Sequence, residues 1–374
     1  MEDLFEEMQE NARALWCPST IKRLNGIPSS AQFFKEYVAT STPVIISGGA
    51  ATLRMAGPWD DLASLAAPDQ EVTVDFTPDG RGDCVVELDS RKSKVESGEG
   101  LNLKPPGTPV DVDTVEVFVK PEERKMRFNS FVDLMLPIDG NGENSITSST
   151  SKGRINGEEV PYLSHQNDSL RQEFPGLMAD VEPFLELARE AFGNDPEAVN
   201  LWIGDQRSVS AVHKDHYENM YCVVTGQKIF TLLPPSDILF LYEQDFPQGR
   251  YRRKADGTGF ELEIEEGSVP WIPLDPACPD LEKYPLFRHA SPVTCCVGPG
   301  DILYLPALWY HRVAQEGLTI AVNYWHDMQF DFKYVYYRFL QGLSRKYFKN
   351  VKMLLHAGGE GTIEEPAQDD EDRG

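Results

Sequence analysis

The chain has 374 residues, which at roughly 100–200 per domain allows one large domain or two to three small ones. Hydrophobic residues make up 41% of it, enough apolar material for a sizeable core and unlike a disordered chain. Thirty-five Lys and Arg against 60 Asp and Glu give a formal net charge of −25; that balance argues against gripping nucleic-acid phosphates or anionic lipid and favours a basic, lysine-bearing partner.

The opening residues, Met1 to Met8, are acidic and lack the basic and apolar regions of a secretory signal. No run approaches the ~20 apolar residues that span a bilayer. Six cysteines, Cys17, Cys84, Cys222, Cys278, Cys295 and Cys296, form no CxxC pair, so reduced thiols are expected. Adjacent Cys295 and Cys296 would face opposite ways in a strand and read as core packing. The expectation is a cytoplasmic protein, with the nucleus as a second location.

Residues 1–42 read as a helical segment. Apolar positions Leu4, Phe5, Met8, Ala12 and Leu15 predict a helix over Asp3–Leu15. A second is predicted over Ser30–Tyr37, capped by Ser29 or Ser30. The main domain is expected over 43–329. Within it Pro43–Ile46 reads as a buried strand, Glu71–Phe76 as a half-buried one, and Thr77–Gly80 as a turn. Residues 87–113 and 138–158 read as exposed insertions around a helix at Asn129–Met135.

From Leu201 onward short β-type runs take over: Leu201–Ile203, Met220–Val224, Ile229–Leu233, Val293–Val297, Asp301–Leu305 and Leu318–Trp325. Gly- and Pro-rich turns separate them, the pattern of an all-β sandwich or barrel. Residues 330–356 form an aromatic-rich helical segment, with Phe332, Tyr336, Phe339, Leu343 and Tyr347 near helical spacing. It reads either as a helix packed on the β core or as the interface of a homodimer. Residues 357–374 read as a disordered acidic tail.

Chemistry concentrates in Ser208–Tyr221. If this segment is extended, His213 and Asp215 share a face, and an imidazole with a carboxylate can bind a divalent metal. A third ligand must come from elsewhere, and His311, after the Pro306 turn, offers one. A lone His-x-Asp is common by chance, and His216 competes as ligand if the segment is helical. Two His and one carboxylate leave positions open, as in non-haem Fe(II) oxygenases. Lys228 follows a hairpin-like Thr225-Gly226 turn in an otherwise apolar run. It reads either as an edge-strand gatekeeper or as a buried ammonium that needs an anionic ligand.

The stretches His213–Phe230, Gly300–Val313 and Ile320–Trp325 resemble jumonji-C domains of the 2-oxoglutarate oxygenase superfamily. His213–Val224, Trp271–Pro276 and Leu305–His311 are similar, more narrowly, to a lysyl hydroxylase of that family. The resemblance extends weakly to Phe33–Gly48 and Thr77–Gly80 and lapses in the insertions and the tail. It implies a mainly β fold, a double-stranded β-helix (cupin or jelly-roll) core flanked by helices. It implies Fe(II) on His213, Asp215 and His311, with O2 as oxidant. It implies 2-oxoglutarate contacts from Lys228, Tyr162, Asn219, Tyr221 and Asn323 and from the hydroxyl of Ser210, where the family more often has Thr. Trp309 and Trp325 read as walls of the pocket.

The reaction implied is hydroxylation of a lysyl side chain, with succinate and CO2 as co-products. Developmentally regulated GTP-binding proteins are the implied substrates, with neither nucleic acid nor membrane as a direct partner. One alternative is an N-methyl-lysine demethylase of the same family, which would use the same iron chemistry. An alternative of another class is a non-catalytic cupin-like binding protein.

Overall fold

A computed structural model describes residues 2–50, 59, 61–89, 114–136 and 159–357, with side chains for all of these but Asp89 and residues 352–357. The acidic tail, the second insertion and all of the first beyond Asp89 lie outside these residues.

The N-terminal part carries helix α1 (Glu2–Leu15), strand β1 (Lys22–Asn25), helix α2 (Ser30–Phe33) and strand β2 (Val44–Ser47). The hydroxyl of Ser29 caps α2 by accepting from the Gln32 amide at 3.3 Å. The second predicted helix is therefore present but changes character, because Phe34–Val38 winds as a π-helical turn. Strand β1 is a departure from the all-helical expectation for residues 1–42; it pairs in parallel with β2.

Next come β3 (Glu71–Thr77), β4 (Arg81–Gly82), β5 (Cys84–Asp89), β6 (Thr114–Lys120), β7 (Glu122–Arg127), α3 (Phe128–Met135) and β8 (Val160–Tyr162). Glu87–Asp89, expected in an exposed insertion, instead end β5 and pair with β6. Helices α4 (Ser169–Glu173) and α5 (Glu186–Phe192) then lead into the β-rich half.

That half runs β9 (Ala198–Gly204), β10 (Val209–His213), β11 (Tyr217–Leu233), β12 (Gln244–Arg253), β13 (Phe260–Trp271), β14 (Val293–Val297), β15 (Ile302–Leu305) and β16 (Tyr310–Asp327), and α6 (Phe332–Ala357) closes the chain. The expected runs at Met220–Val224 and Ile229–Leu233 are one strand, β11. Its first half pairs with β15 and its second with β14, while β16 runs antiparallel beside both. At its two ends β16 also pairs with β10 and β9. This curled nine-stranded sheet is the double-stranded β-helix of a cupin. A hairpin of β12 and β13 joins β5 and β6 in a second sheet, and β7, β3 and β8 form a third.

The Thr225-Gly226 step, expected as a hairpin turn, is a bulge within β11. Gly226 takes φ +72°, and a Cβ there would lie 2.3 Å from the Leu318 carbonyl oxygen. Because side chains alternate with period two, the bulge shifts parity. Odd-numbered Asn219 and Tyr221 and even-numbered Phe230 consequently line the same pocket.

The main core gathers Phe33, Phe192 and Tyr304 under the sheet, their rings 5.1–6.1 Å apart. Each such ring stabilises the fold by about 1.5–3 kcal/mol through burial. A second cluster packs Phe5 of α1 with Leu239, Tyr337 and Phe348, bringing the two ends of the described chain together. Cys295 and Cys296 point to opposite faces of β14 as expected, but Cys296 is exposed, so core packing fails for it. No helix among the described residues is long and apolar enough to cross a membrane.

Candidate metal centre and cosubstrate pocket

Strand β10 ends at His213, the following loop carries Asp215, and His311 is the second residue of β16. His213 and His311 are register partners across β10 and β16, which brings their rings to 4.2 Å between centroids. Asp215 Oδ2 lies 3.6 Å from His311 Nε2 and 4.0 Å from His213 Nε2, and one ligand atom from each residue falls within 4.8 Å of the others. The Leu308 amide, at φ +69°, donates to the Asp215 carbonyl at 2.9 Å and ties the two ligand loops together.

Both imidazoles are oriented. His213 Nδ1 donates to the Ala211 carbonyl at 2.7 Å, and His311 Nδ1 to that of Trp309 at 3.0 Å. A carbonyl can only accept, so both rings carry their proton on Nδ1 and turn Nε2 toward Asp215. Burial, with His213 adding to it and Asp215 opposing it, pushes the His311 pKa down to about 4. His311 is therefore neutral near pH 7, as a metal ligand must be. A donor set of two imidazoles and one carboxylate on a rigid sheet fits Fe(II).

Lys228 is not on a sheet edge. Its strand is paired on both sides, and its ammonium is fully buried. It donates to the Tyr162 hydroxyl at 3.0 Å and to Gln315 Oε1. Burial without an anionic partner pushes its pKa down to about 7. The Ser210 side chain stands beside Tyr162 in the pocket lining. Asn323 Nδ2 donates to Asn219 Oδ1 at 3.1 Å, and Asn323 Oδ1 accepts from Trp202 Nε1 at 2.8 Å. Tyr162, Ser210, Asn219, Tyr221 and Asn323 thus line one small pocket with His213, Asp215 and His311. A buried cation beside hydroxyls and amides suits a dicarboxylate such as 2-oxoglutarate.

Of the two expected walls, Trp325 lines this pocket, whereas Trp309 is buried beyond it and donates to the Ser41 carbonyl. Sequence reading missed Gln315, although period two counted from His311 marks it as inward-facing. Trp271, which the sequence marked only as the start of a resembling stretch, sets its ring parallel to His213 at 6.3 Å. A wider cleft of about 220 Å³ opens from the centre and is lined by Asp75, Asp83, Trp271, His213 and Asp215. Asp75 was signalled by the polar face of alternating β3; nothing in the sequence marked Asp83.

A cupin barrel with this donor set defines a metal-dependent oxygenase class. The Cupin-like domain model matches residues 30–332, and the chain belongs to that family. It is 33% identical to the human bifunctional peptidase and (3S)-lysyl hydroxylase JMJD7 over 91% of this chain and 95% of that protein. It is 37% identical to lysine-specific demethylase JMJ32 of Arabidopsis thaliana, over 91% and 92%. With JmjC domain-containing protein E of Dictyostelium discoideum the figure is 35%, over 94% and 96%. The chain is accordingly a JmjC oxygenase, of a family that depends on Fe(II) and 2-oxoglutarate.

Proposed function

We propose that this oxygenase hydroxylates an unmodified lysyl side chain of a protein substrate. The carrying observation is the cleft beside the metal centre, where Asp75 and Asp83 both stand with raised pKa values. Burial drives the Asp75 carboxyl up to about 7, against a hydrogen bond from Ser164. Burial raises Asp83 as well, partly offset by His213, Lys120 and Arg250. Two carboxylates held in an environment that penalises their charge are stabilised by an incoming cation. A free ammonium offers each of them N–H donors, which a fully methylated one lacks.

Fe(II) on His213, Asp215 and His311, with 2-oxoglutarate, would supply the two-electron activation of O2, releasing succinate and CO2. The chain's own part is positioning. Lys228 and Tyr162, supported by Ser210, would hold the distal carboxylate of 2-oxoglutarate; Asn219, Asn323 and Tyr221 would shape the pocket wall. Asp75 and Asp83 would draw the lysine in, and Trp271 would shield the His213 side from water.

The name of the human relative suggests carbon 3 of lysine as the site of attack. The family resemblance suggests a GTP-binding protein as carrier of that lysine, and a net charge of −25 suits a basic target segment. The Arabidopsis relative keeps demethylation as the second reading. Mass analysis of matched unmethylated and methylated peptides separates the two: hydroxylation adds one oxygen to the unmethylated lysine, whereas demethylation releases formaldehyde.

A homodimer through the C-terminal helices is also proposed. Phe332, Val335, Tyr336 and Phe339 are each more than 60% exposed on α6 and recur at helical spacing, a ridge that a second copy would cover.

A further inference from the structure

Between the metal loop and the C-terminal helix lies a buried carboxylate with no part in the proposed chemistry. Glu243, just before β12, is 1% exposed. Its Oε2 accepts from Lys214 Nζ at 2.5 Å and from the Tyr310 hydroxyl at 3.4 Å. Its Oε1 accepts from Gln341 Nε2 at 2.6 Å and from Arg345 Nη2 at 3.4 Å. Lys214 stands between His213 and Asp215, and Tyr310 immediately precedes His311. One carboxylate therefore holds the chain neighbours of all three prospective metal ligands.

The helix contributes a single stripe to this network. Tyr337, Gln341 and Arg345 recur every four residues on α6. The Tyr337 hydroxyl lies 3.2 Å from that of Tyr310, and the Lys214 ammonium sits over both rings at 5.7 and 5.2 Å. Burial works to raise the Glu243 pKa, but Lys214, Gln341 and Arg345 together hold it below the ordinary value. Glu243 is thus a charged group with every partner in place.

We infer that Glu243 is a positioning residue for the metal centre, and that docking of α6 is part of assembling that centre. The inference rests on the metal reading of His213, Asp215 and His311. A shift of the 213–215 loop would pull Lys214 from its buried carboxylate, leaving the ammonium unpaired and Glu243 with Arg345 as its remaining counter-charge, which is unfavourable. That penalty fixes the spacing of His213 and Asp215 before any ion arrives. Through Tyr310 the same carboxylate steadies the entry to His311. The stripe on α6 completes the carboxylate's hydrogen bonds, so a loosened helix would slacken all three ligands.

Mn(II) titrated into the metal-free full chain, with free Mn(II) followed by electron paramagnetic resonance, tests this. All variants are compared at a temperature where circular dichroism shows them folded. Wild type is expected to bind an equimolar amount; a wild type that binds none overturns the metal reading itself. Given wild-type binding, Glu243→Gln should weaken Mn(II) by about 10–100-fold, the loss typical when a residue supporting a ligand is removed. Gln341→Leu should weaken it several-fold, and Glu243→Asp should recover part of the loss. In Lys214→Met/Glu243→Leu the charges go together, so the fold is spared while Mn(II) binding stays weak. Affinities within twofold of wild type in both Glu243→Gln and the double variant, with only thermal stability lowered, would overturn the positioning role. Wild-type affinity in Gln341→Leu would overturn the link to the helix.

Discussion

Lys228 on β11 and Gln315 on β16 are direct register partners, and their side chains meet in a fully buried contact. The carboxamide accepts from the ammonium through Oε1 and leaves Nε2 with no hydrogen-bond partner. Gly204 makes room for this arrangement, since a Cβ there would lie 2.3 Å from Gln315 Nε2 and 2.7 Å from the Tyr162 ring. In the proposed complex the 2-oxoglutarate carboxylate takes up the positive charge. Lys228→Ala would leave that carboxylate buried and unpaired, a loss of roughly 3–5 kcal/mol. It should weaken 2-oxoglutarate binding by about two to four decades, since each ~1.4 kcal/mol is tenfold. Metal affinity should stay unchanged and Lys228→Arg should rescue only partly. Calorimetric titration of 2-oxoglutarate into metal-loaded protein checks this; wild-type affinity in Lys228→Ala would contradict it.

The same lysine sets a pH dependence. Its pKa in the free protein is pushed down to about 7, and a bound carboxylate raises it again. Below that value Lys228 is already charged, so 2-oxoglutarate affinity should be flat with pH. Above it each binding event must first protonate the lysine, so affinity should fall about tenfold per pH unit up to the higher pKa of the complex. Calorimetry at pH 8 in two buffers of different ionisation heat should show uptake of close to one proton. Binding without proton uptake would mean that Lys228 keeps its charge in the free protein.

His311→Ala removes a neutral, buried ligand. Metal affinity should drop by more than the ~100-fold upper range seen for residues that merely support a ligand. Succinate output should fall to background, while far-ultraviolet circular dichroism stays that of wild type. Unchanged succinate production would remove His311 from the metal site.

How much of this was legible in the sequence depended on the element. Short β runs marked an all-β sandwich or barrel and His213-x-Asp215 a candidate metal pair, because period two and donor chemistry are local; the cupin form of the barrel and His311 as third ligand came from the jumonji-C resemblance. The Gly226 bulge was not legible: a Thr-Gly step signals a turn equally well, and only the partner strand β16 shows that β11 runs straight through it. The β12–β13 hairpin was missed although Phe260–Glu265 alternates apolar and acidic residues with period two; its partner strand β12, with Pro247 and Gly249, shows no such alternation. Glu243 and Asp83 gave no signal, for their partners lie far away in the chain. Leu343, grouped in the sequence with the aromatic ridge, packs instead against the buried cluster of Phe5 and Phe348.

That placement sharpens the dimer prediction. Tyr336→Asp/Phe339→Asp puts charge on the exposed ridge without touching the core, so light scattering should report conversion from a dimer to a folded monomer. A monomer mass for the unaltered chain would reject the proposed interface.

Substrate recognition is read from the acidic cleft. Asp83→Asn and Asp75→Asn should each raise KM for a lysine-bearing peptide by about 10–100-fold, the loss expected for one charge-assisted hydrogen bond of roughly 1.5–3 kcal/mol. The 2-oxoglutarate Kd should not move. Equal KM values in steady-state assays would take both residues out of substrate binding.

The central claim, Fe(II)- and 2-oxoglutarate-dependent hydroxylation of lysine, is tested most directly by paired product analysis. The full chain with Fe(II), 2-oxoglutarate and O2 is given basic peptides carrying either unmodified or methylated lysine, and peptide mass, succinate and formaldehyde are measured together. The account predicts one added oxygen on the unmodified lysine, matched by equimolar succinate, with no formaldehyde. Formaldehyde from the methylated peptide without any oxygen gain on the unmodified one would contradict it.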